Sequence, residues 1–358
     1  MEISKESSLS ELRIAINSAL SQFIEVENGY LRKIGSELDP VADSLERFLL
    51  ESGKRLRPLF ALVGFLGSGA SLTPQTLAAA SSLELIHVCA LIHDDVMDGS
   101  DTRRGAPSIH RTFEKMHRTN SLQGSAEQFG ISSAILLGDL ALIWSAKMLH
   151  QSGISANALV GSLPMYDEMR VELMAGQYLD VFEQALASQS VERSLRVARF
   201  KSGKYTIERP LHFGAALSGN SNPELIQRYS EYGLPLGEAF QLRDDILGVF
   251  GDPLETGKPA GDDLREGKRT VLMATTLERA DESQRAKIAQ LFGDKDLAHD
   301  GIDAIRTIIT ETGALDSVER LIDTLTTAAQ QALSHPEISA VGQKHMHDLI
   351  AIAIARTV

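Results

Sequence analysis

The sequence predicts an all-α protein: a single domain of ten or more helices over residues 1–358. Apolar residues recur at spacings of three and four between turn signals, as at Leu12, Ala15, Ala19 and Phe23, which is the period of an amphipathic helix. A second stripe of this kind follows at Leu136, Leu140 and Ile143. No stretch shows a convincing alternation of apolar and polar residues, so we expect no sheet of consequence.

Helix-breaking residues divide the chain into segments of roughly ten to thirty residues, a length typical of helices in large bundles. In chain order they are Asp39-Pro40, Gly67 to Pro74, Gly105 to Pro107, Gly153, Gly219 to Pro223, Gly251 to Pro253, Gly257 to Gly267, and His335-Pro336. Neither a repeat nor a low-complexity linker separates these segments into domains.

Composition and charge narrow the classes of function. The chain has 358 residues, 43% of them hydrophobic, and a formal net charge of −13, which argues against nucleic acid as a partner. Cys89 is the single cysteine, so an intramolecular disulfide is excluded and the cytoplasm is the expected compartment. The polar N-terminus does not resemble a signal peptide. The longest apolar run, Leu59 to Leu66, is too short to span a membrane, so we predict no transmembrane segment.

A first acidic cluster lies in the stretch LIHDDVMDGSDTRRG, residues 91–105. Asp94 and Asp98 are one helical turn apart, at the end of a stripe that begins with Leu83 and His87. Two ionised carboxylates at ~5 Å repel each other by about 3 kcal/mol at an effective dielectric of about 20. A divalent cation removes this repulsion, and oxygen ligands without His or Cys favour Mg²⁺. The alternative is a solvated acidic helix end.

A second acidic cluster repeats this arrangement about 150 residues later. In residues 238–270 a periodic apolar segment leads to Asp244 and Asp245, and Gln241 shares a helix face with Asp245. A glycine-rich loop follows, with Lys258, Asp262, Asp263 and Lys268. Two acid-ended helices of this kind predict that the clusters face each other and hold metal ions bridged by a polyphosphate.

Basic residues occur in three short segments. SGKRLRP supplies Lys54, Arg55 and Arg57, RRG supplies Arg103 and Arg104, and KSGKYT supplies Lys201 and Lys204. Arginine forks suit phosphate oxygens, although each segment alone is more typical of a solvated face. Beside two metal-binding clusters they indicate two diphosphates, one held through Mg²⁺ and one held directly by cations.

These motifs resemble the trans-isoprenyl diphosphate synthases (polyprenyl synthetases), and most closely the geranylgeranyl diphosphate synthases. DDVMD with RRG is similar to the first aspartate-rich motif of that family, and QLRDD with GKPAGDDLREGK to the second; GKRLRP and GKYT match its other diphosphate-binding segments, in the same order. The resemblance implies mostly antiparallel helices around a deep central cavity, and a homodimer. It also implies head-to-tail condensation of isopentenyl diphosphate with allylic diphosphates, using up to three Mg²⁺ ions.

The resemblance also implies a role for individual residues. Asp94, Asp98 and Asp244 would ligate Mg²⁺, with Asp95 and Asp245 supporting them. The allylic diphosphate would be contacted by Arg103, Lys204, Gln241, Lys258 and Lys268. Isopentenyl diphosphate would be held by Lys54, Arg57, His87 and Arg104. The catalytic set is then Asp94, Asp95, Asp98, Lys204, Asp244 and Asp245.

The sequence departs from the family pattern at several positions. The second motif commonly ends in a further Asp, but position 248 is Gly, so Asp252 or Asp262 is expected to substitute through water. Tyr205 follows Lys204 where Thr is common. Gln177 and Asp180 match a family pattern that lines the cavity, or else form a buried polar pair.

The length of the product is expected to depend on the helix before Asp94. Short-chain farnesyl enzymes carry bulky aromatics four or five residues before this Asp, but this chain has Ala90 and Cys89. At 1.5 Å per residue, Ile86 and Leu83 lie about 12 and 16 Å from Asp94, and an isoprene unit covers about 5 Å. If the cavity that holds the growing chain ends there, or at Trp144 and Met148 on a facing helix, the expected product is C20. We call this end of the cavity its floor.

Other readings remain open. A farnesyl (C15) product and a medium chain of C30 or longer are the alternatives for product length. A class I terpene cyclase shares the metal chemistry but needs no second set of diphosphate-binding cations. A non-catalytic partner subunit would be expected to have lost acidic residues, whereas both Asp pairs are intact here.

Overall fold

The computed structural model describes residues 4–51, 53–219, 222–252 and 261–354, and these residues are almost entirely helical. The α-helices are α1 (Leu9–Ile34), α2 (Asp39–Leu50), α3 (Leu56–Gly67), α4 (Pro74–Asp98), α5 (Ile109–Thr119), α6 (Ala126–His150), α7 (Ala156–Ala185), α8 (Val191–Val197), α9 (Arg209–Leu217), α10 (Pro223–Phe250), α11 (Asp262–Glu266), α12 (Val271–Arg279), α13 (Glu282–Leu291), α14 (His299–Glu311), α15 (Ala314–Ala332) and α16 (Ala340–Ile354). A 3₁₀ turn (Ser36–Leu38), a π-helical segment (Ala198–Glu208) and a hairpin of strands β1 (Thr102–Arg103) and β2 (Ala106–Pro107) complete the elements. The predicted all-α fold with ten or more helices is confirmed.

Local sequence signals explain where the helices begin. The Ser8 side chain accepts a hydrogen bond from the Glu11 amide, and Glu11 reciprocates, which forms a capping box at α1. Thr73 caps α4 and is followed by Pro74, whose fixed φ suits the first helical position. The same logic places Pro40 in the first turn of α2, where the sequence suggested a break.

The chain forms two compact units. The first comprises the described residues of Met1–Pro164 and Pro210–Ser221, and the second those of Met165–Arg209 and Asn222–Val358. The prediction of one domain over residues 1–358 stays a prediction.

In the first unit, α3 is buried along its whole length. Its backbone meets that of residues 210–217 closely, since a Cβ on Gly214 would lie 2.0 Å from the Ala61 carbonyl oxygen. α4 packs against α6, and α6 also packs against α5. The Ser145 hydroxyl on α6 donates to the Ser82 carbonyl on α4 at 2.7 Å, which fixes the level of the two helices.

In the second unit, α10 packs against the π-helical segment and α15. Its apolar side joins a core with α12, α14 and α15, formed among others by Leu242, Ile246, Leu272 and Ile305. Burial of this side holds α10 so that Asp244 and Asp245 lie on defined faces of the helix.

Two helices in the described part of the chain, α4 and α6, are long and apolar enough to cross a membrane by length and composition. In α4, 67% of the apolar window is buried inside the protein, and in α6 39% is buried. Core helices of soluble proteins meet the same criteria, so this is weak evidence for a membrane span.

The apolar stripe that the sequence predicted on α6 lies mainly on the exposed face of the helix. Leu136 and Ile143 are 66% and 61% exposed, whereas Ala134, Leu137 and Ala141 face the core. The helix itself was predicted correctly, but the stripe does not mark its packing against α4.

Candidate active site

The first acidic cluster lies on the last turn of α4, which ends at Gly99 in the left-handed conformation (φ 69°). A helix C-terminus carries partial negative charge, so carboxylates there need compensation. Arg103 supplies it: its Nε donates to Oδ1 of the fully buried Asp95 at 2.8 Å. Its Nη2 lies 3.6 Å from Oδ2 of Asp94. Arg103 therefore binds the acidic cluster, and its predicted contact with the allylic diphosphate stays a prediction.

His93, the residue before Asp94, fixes the end of α4 against α6. Its Nε2 lies 3.0 Å from the Ile135 carbonyl oxygen, and because a carbonyl only accepts, this nitrogen carries the proton. Gly138 makes the contact sterically feasible, since a Cβ there would lie 2.1 Å from the same nitrogen. The carboxylate pattern of the motif carries no signal for this contact of His93.

The hairpin after α4 presents Arg104. Thr102 pairs with Pro107 and Arg103 with Ala106, so Arg104 and Gly105 form a two-residue turn with φ of 55° and 76°. Positive φ at both central residues is the signature of a type I′ turn. Arg104 is held in this unfavourable conformation by its Nη1, which donates to the Phe48 carbonyl at 3.2 Å, and by the Phe48 ring, 5.5 Å away.

Four arginines and His87 form a cationic cluster in the first unit. Desolvation, followed by the charges of Arg57, Arg104, Arg103 and Arg55, lowers the pKa of His87 well below its ordinary value. Desolvation also lowers the pKa of Arg104, and Arg55, Arg103 and Arg57 add to this effect while Glu84 opposes it. The structure thus brings together Arg57, His87 and Arg104, three of the four residues predicted to bind isopentenyl diphosphate, and His87 is neutral there at neutral pH.

Lys54 and Arg55, neighbours in the basic segment, differ in exposure. Lys54 is exposed, whereas Arg55 is 2% exposed and its Nη1 donates to Glu84 Oε1 at 2.8 Å. Lys54 can therefore meet a ligand from solvent, while Arg55 is committed to the protein interior.

The second acidic cluster lies on α10 in the second unit. Gln241 Nε2 donates to Asp245 Oδ1 at 2.7 Å, which confirms that the two share a face. Burial raises the pKa of Asp245 to about 8, and the charges of Asp263, Asp244 and Asp180 contribute. Such mutual repulsion between carboxylates is what a bound cation relieves.

Gly248 makes room for a carboxylate from another helix. A Cβ added at Gly248 would lie 1.8 Å from Asp263 Oδ2, so Asp263 on α11 occupies the space above Gly248. Asp263 Oδ1 also lies 3.5 Å from Lys268 Nζ, which brings that predicted cation to the cluster. We expected Asp252 or Asp262 to replace the missing third carboxylate, but the structure places Asp263 there.

The π-helical segment carries Lys201 and Lys204 and packs directly on α10. A Cβ on Gly237 would lie 2.6 Å from the Gly203 Cα, so the two backbones touch. Lys204 Nζ is 2.5 Å from Glu172 Oε1 and 3.8 Å from Glu208 Oε2. Lys201 Nζ is 2.6 Å from Asp180 Oδ2.

The remaining predicted residues in this region lie as follows. The buried Asp180 pairs with the half-buried Lys201, so Asp180 is not an isolated partner of Gln177. Tyr205 and Thr206 are both buried, which turns them away from solvent. Lys258 lies outside the residues that the structure describes.

The donors present suit Mg²⁺. Within residues 4–51, 53–219, 222–252 and 261–354, no three acidic, His or Cys side chains converge closely enough to hold an ion alone. Mg²⁺ commonly takes one or two protein carboxylates and completes its shell with water and substrate phosphates. The carboxylate pairs at Asp94 and Asp98 and at Asp244 and Asp245, without soft ligands, fit that pattern.

Comparison with known proteins identifies the family. The family model described as polyprenyl synthetase matches residues 39–309, a range that holds both acidic clusters and all the cations above. The chain belongs to the polyprenyl synthetase family. The resemblance read from the motifs is thereby confirmed.

Relatives in this family are similar over most of the chain. A geranylfarnesyl diphosphate synthase of Aeropyrum pernix is 33% identical over 310 residues, which cover 85% of this chain and 90% of that protein. A geranylgeranyl diphosphate synthase of Sulfolobus acidocaldarius is 28% identical over 265 residues, covering 73% of this chain and 74% of that one.

A solved structure is similar over nearly the whole length. The geranylgeranyl pyrophosphate synthase of Corynebacterium glutamicum, complexed with isoprenyl diphosphate and magnesium, has a TM-score of 0.94 and is 42% identical. The match covers 98% of this chain and 100% of that one.

Proposed function

We propose that this chain condenses isopentenyl diphosphate head-to-tail with allylic diphosphates, with geranylgeranyl diphosphate (C20) as its main product. The observation that carries the proposal is the cationic cluster of the first unit. In this cluster Arg57 and Arg104 lie near a neutral His87, and Arg103, which also acts on His87, binds the acidic cluster through Asp95. A diphosphate held directly by cations is what a condensing enzyme needs in addition to its metal-bound diphosphate. The relatives named geranylgeranyl and geranylfarnesyl diphosphate synthases support the same activity.

In this proposal isopentenyl diphosphate is bound by Lys54, Arg57, His87 and Arg104. The arginine forks meet phosphate oxygens in pairs. His87, neutral in the free protein, donates one N–H and gains a proton more readily once an anion lies beside it. Because these groups are cations or hydrogen-bond donors, this substrate does not depend on metal for its binding.

The allylic diphosphate is assigned to the acidic clusters. We propose that Asp94, Asp98 and Asp244 hold up to three Mg²⁺ ions, with Asp95, Asp245 and Asp263 supporting them. Bound Mg²⁺ supplies charge neutralisation at the departing diphosphate. The proposed direct contacts are Arg103, Lys204, Gln241, Lys258 and Lys268. In this structure Lys204 is paired with Glu172.

The chain's own residues then protect the reacting carbon atoms. Ionisation of the allylic carbon–oxygen bond leaves a carbocation, which must be kept from water. Apolar side chains such as the buried Phe240 and Leu83 are proposed to exclude water from the carbocation. The isopentenyl double bond attacks, and the departed diphosphate accepts the final proton.

The product length follows from the first turns before Asp94. Cys89 is buried and Ala90 is partly buried, so neither presents a large side chain there. Trp144 and Met148 on α6 are buried at the level where Ser145 bonds to Ser82 of α4. A cavity that ends at this level of α4 would favour a C20 product. The relative named geranylfarnesyl diphosphate synthase makes C25 the second candidate.

The protein is further proposed to be a cytoplasmic homodimer. The exposed face of α6, with Ile135, Leu136 and Ile143 at 44%, 66% and 61% exposure, is the surface proposed to meet a second copy. Burial of such side chains stabilises association by about 25 cal/mol per Å² before the cost of association. The compartment rests on the single cysteine, Cys89, which is buried as a free thiol.

The proposed activity is tested by incubating the purified protein with isopentenyl diphosphate, Mg²⁺ and the C5, C10 or C15 allylic diphosphate, with product lengths read by mass spectrometry. We expect C20 from every primer that is accepted. A C30 or longer product would place the floor beyond Leu83. Absence of condensation with every primer, in folded protein, would contradict the proposal and favour a cyclase or a partner subunit.

A further inference from the structure

Arg55 is buried in the middle of the basic segment. The side chain of Arg55 is 2% exposed and that of Glu84 is 3% exposed. The neighbouring Lys54, in contrast, is exposed. A guanidinium is rarely buried without several partners, because it cannot lose its charge. The Arg55 guanidinium therefore binds groups in the protein interior.

Three helices hold this guanidinium. Its Nε donates to Asn17 Oδ1 on α1 at 2.7 Å, its Nη1 to Glu84 Oε1 on α4 at 2.8 Å, and its Nη2 to the Leu49 carbonyl on α2 at 2.6 Å. Leu49 lies in the last turn of α2, where carbonyl groups lack helical partners and carry partial negative charge. The planar fork thus joins three elements in one fixed geometry.

The backbone at this point is strained to suit the side chain. Arg55 has a φ of 54°, a left-handed conformation that costs a non-glycine residue free energy and persists only when its surroundings enforce it. Gly53, at φ 136°, is required beside it, since a Cβ there would lie 2.8 Å from Arg55 Nη1. The ion pair and the turn therefore depend on each other.

The elements that Arg55 joins also carry or contact the cations of the proposed isopentenyl diphosphate site. Arg57 follows Arg55 by two residues, in the first turn of α3. Glu84 and His87 are three residues apart on α4 and share a face. Arg104 is bound to the Phe48 carbonyl, the neighbour of the Leu49 carbonyl that Arg55 uses.

We propose that the Arg55–Glu84 ion pair is a positioning device for isopentenyl diphosphate. Arg55 does not touch the substrate; it sets the turn from which Lys54 and Arg57 reach the substrate, and Glu84 fixes α4 at the level of His87. This inference rests on the proposed function in one respect, the assignment of the cationic cluster to isopentenyl diphosphate.

The test compares Glu84→Gln with two other variants. Asn17→Ala removes one hydrogen bond to Arg55 but leaves the ion pair. Glu27→Gln is the matched control: Glu27 is 3% exposed and lies 2.7 Å from Lys147 Nζ, in the same unit but outside the cationic cluster. For each variant, kcat, the KM of isopentenyl diphosphate, the KM of the allylic diphosphate and the thermal midpoint are measured.

We expect Glu84→Gln to raise the KM of isopentenyl diphosphate about tenfold, since small misplacements of binding groups are costly. Its allylic KM and kcat should change by less than about threefold. Asn17→Ala should show the same selectivity with a smaller rise, and this variant decides the matter if Glu84→Gln does not fold. Glu27→Gln should lower the thermal midpoint without changing either KM.

Equal rises in both KM values, or none in Glu84→Gln and Asn17→Ala, would overturn the inference. Wild-type protein that condenses nothing would contradict the proposed function instead. In that case calorimetric binding of inorganic diphosphate still decides: about tenfold weaker binding by Glu84→Gln supports the positioning role, and equal affinity overturns it.

Discussion

At the level of single residues, Gly248 and Asp263 together account for a departure in the second acidic motif. The carboxylate of Asp263 lies where the first atom of a side chain at position 248 would be. A carboxylate at either position could complete the cluster with Asp244 and Asp245, but both could not fit without displacement. The exchange was not readable from the sequence, because it depends on how α11 returns over α10.

Asp263→Ala is expected to weaken the apparent Mg²⁺ affinity and lower kcat by about 10- to 100-fold, the usual cost of a lost supporting ligand. Gly248→Asp alone should also lower activity, through steric overlap and like-charge repulsion. The double variant Gly248→Asp with Asp263→Ala should recover much of the loss. Steady-state kinetics over a range of Mg²⁺ concentrations, with calorimetric Mg²⁺-dependent binding of a non-hydrolysable diphosphate analogue, measure this.

Asp252→Ala is the matched control for this series, because Asp252 is exposed and follows the end of α10. It should behave as wild type. A double variant no better than Asp263→Ala alone would show that Asp263 does not stand in for a carboxylate at 248.

The lowered pKa of His87 predicts a dependence of stability on pH. The unfolded chain binds a proton at His87 below its ordinary pKa of about 6.5, and the folded chain does not until a lower pH. The stability contribution is therefore present above about pH 6.5 and is lost as the pH falls toward the folded-state pKa, by up to about 1.4 kcal/mol per pH unit.

His87→Gln should make unfolding less sensitive to pH between about 6.5 and 5, as measured by denaturant unfolding at several pH values. The difference between variant and wild type isolates this residue from other histidines, such as His110, whose pKa is also lowered. Parallel pH curves for the two proteins would be evidence against a buried, neutral His87.

At the level of elements, α4 combines the acidic cluster with the path proposed for the growing chain. Its helical period, N-terminal Thr73-Pro74 and C-terminal Gly99 are local signals, so its extent was predictable from sequence. The π-helical segment was not, because lengthening the hydrogen-bonded loop by one residue over only 11 residues leaves no distinct hydrophobic period in the sequence. The break at Gly105 to Pro107 was predicted, but the left-handed conformation of Arg104 (φ 55°) was not, because Arg is an unusual residue for that conformation.

Ala90→Phe should shorten the product to C15 or less, because a phenyl ring about 6 Å from Asp94 would block extension. The products of the C5 and C10 primers, separated by mass spectrometry, measure this. Val26→Phe is the control, since it adds a ring at a side chain that is 70% exposed on α1 and should leave product length unchanged. An unchanged product with Ala90→Phe would show that the chain does not pass residue 90.

At the level of the whole molecule, the acidic clusters belong to different compact units, and the prediction that they share metal ions comes from the sequence. Ordered motifs at family spacing made the reaction class predictable, and the family match confirms that class. The pairing of Lys204 with Glu172 and of Lys201 with Asp180 was not predictable, because these partners are 32 and 21 residues apart and meet only through helix packing.

Association of two copies through α6 can be tested by placing charged side chains on its exposed apolar face. Leu136→Lys with Ile143→Lys should shift the protein from dimer to monomer in sedimentation at micromolar concentration, because two charges on a buried apolar face cost several kcal/mol. Val26→Lys, at a side chain that is 70% exposed on α1, is the control. A dimer that persists in the double variant would place the interface elsewhere.

In the proposed reaction the protein joins two diphosphate substrates. To test this, the protein is given unlabelled farnesyl diphosphate with ¹³C-labelled isopentenyl diphosphate and Mg²⁺, and the label and the released diphosphate are followed together. We expect a C20 product with one labelled unit and one diphosphate released for each unit added. Release of diphosphate with an unlabelled, cyclised or hydrolysed C15 product would contradict it.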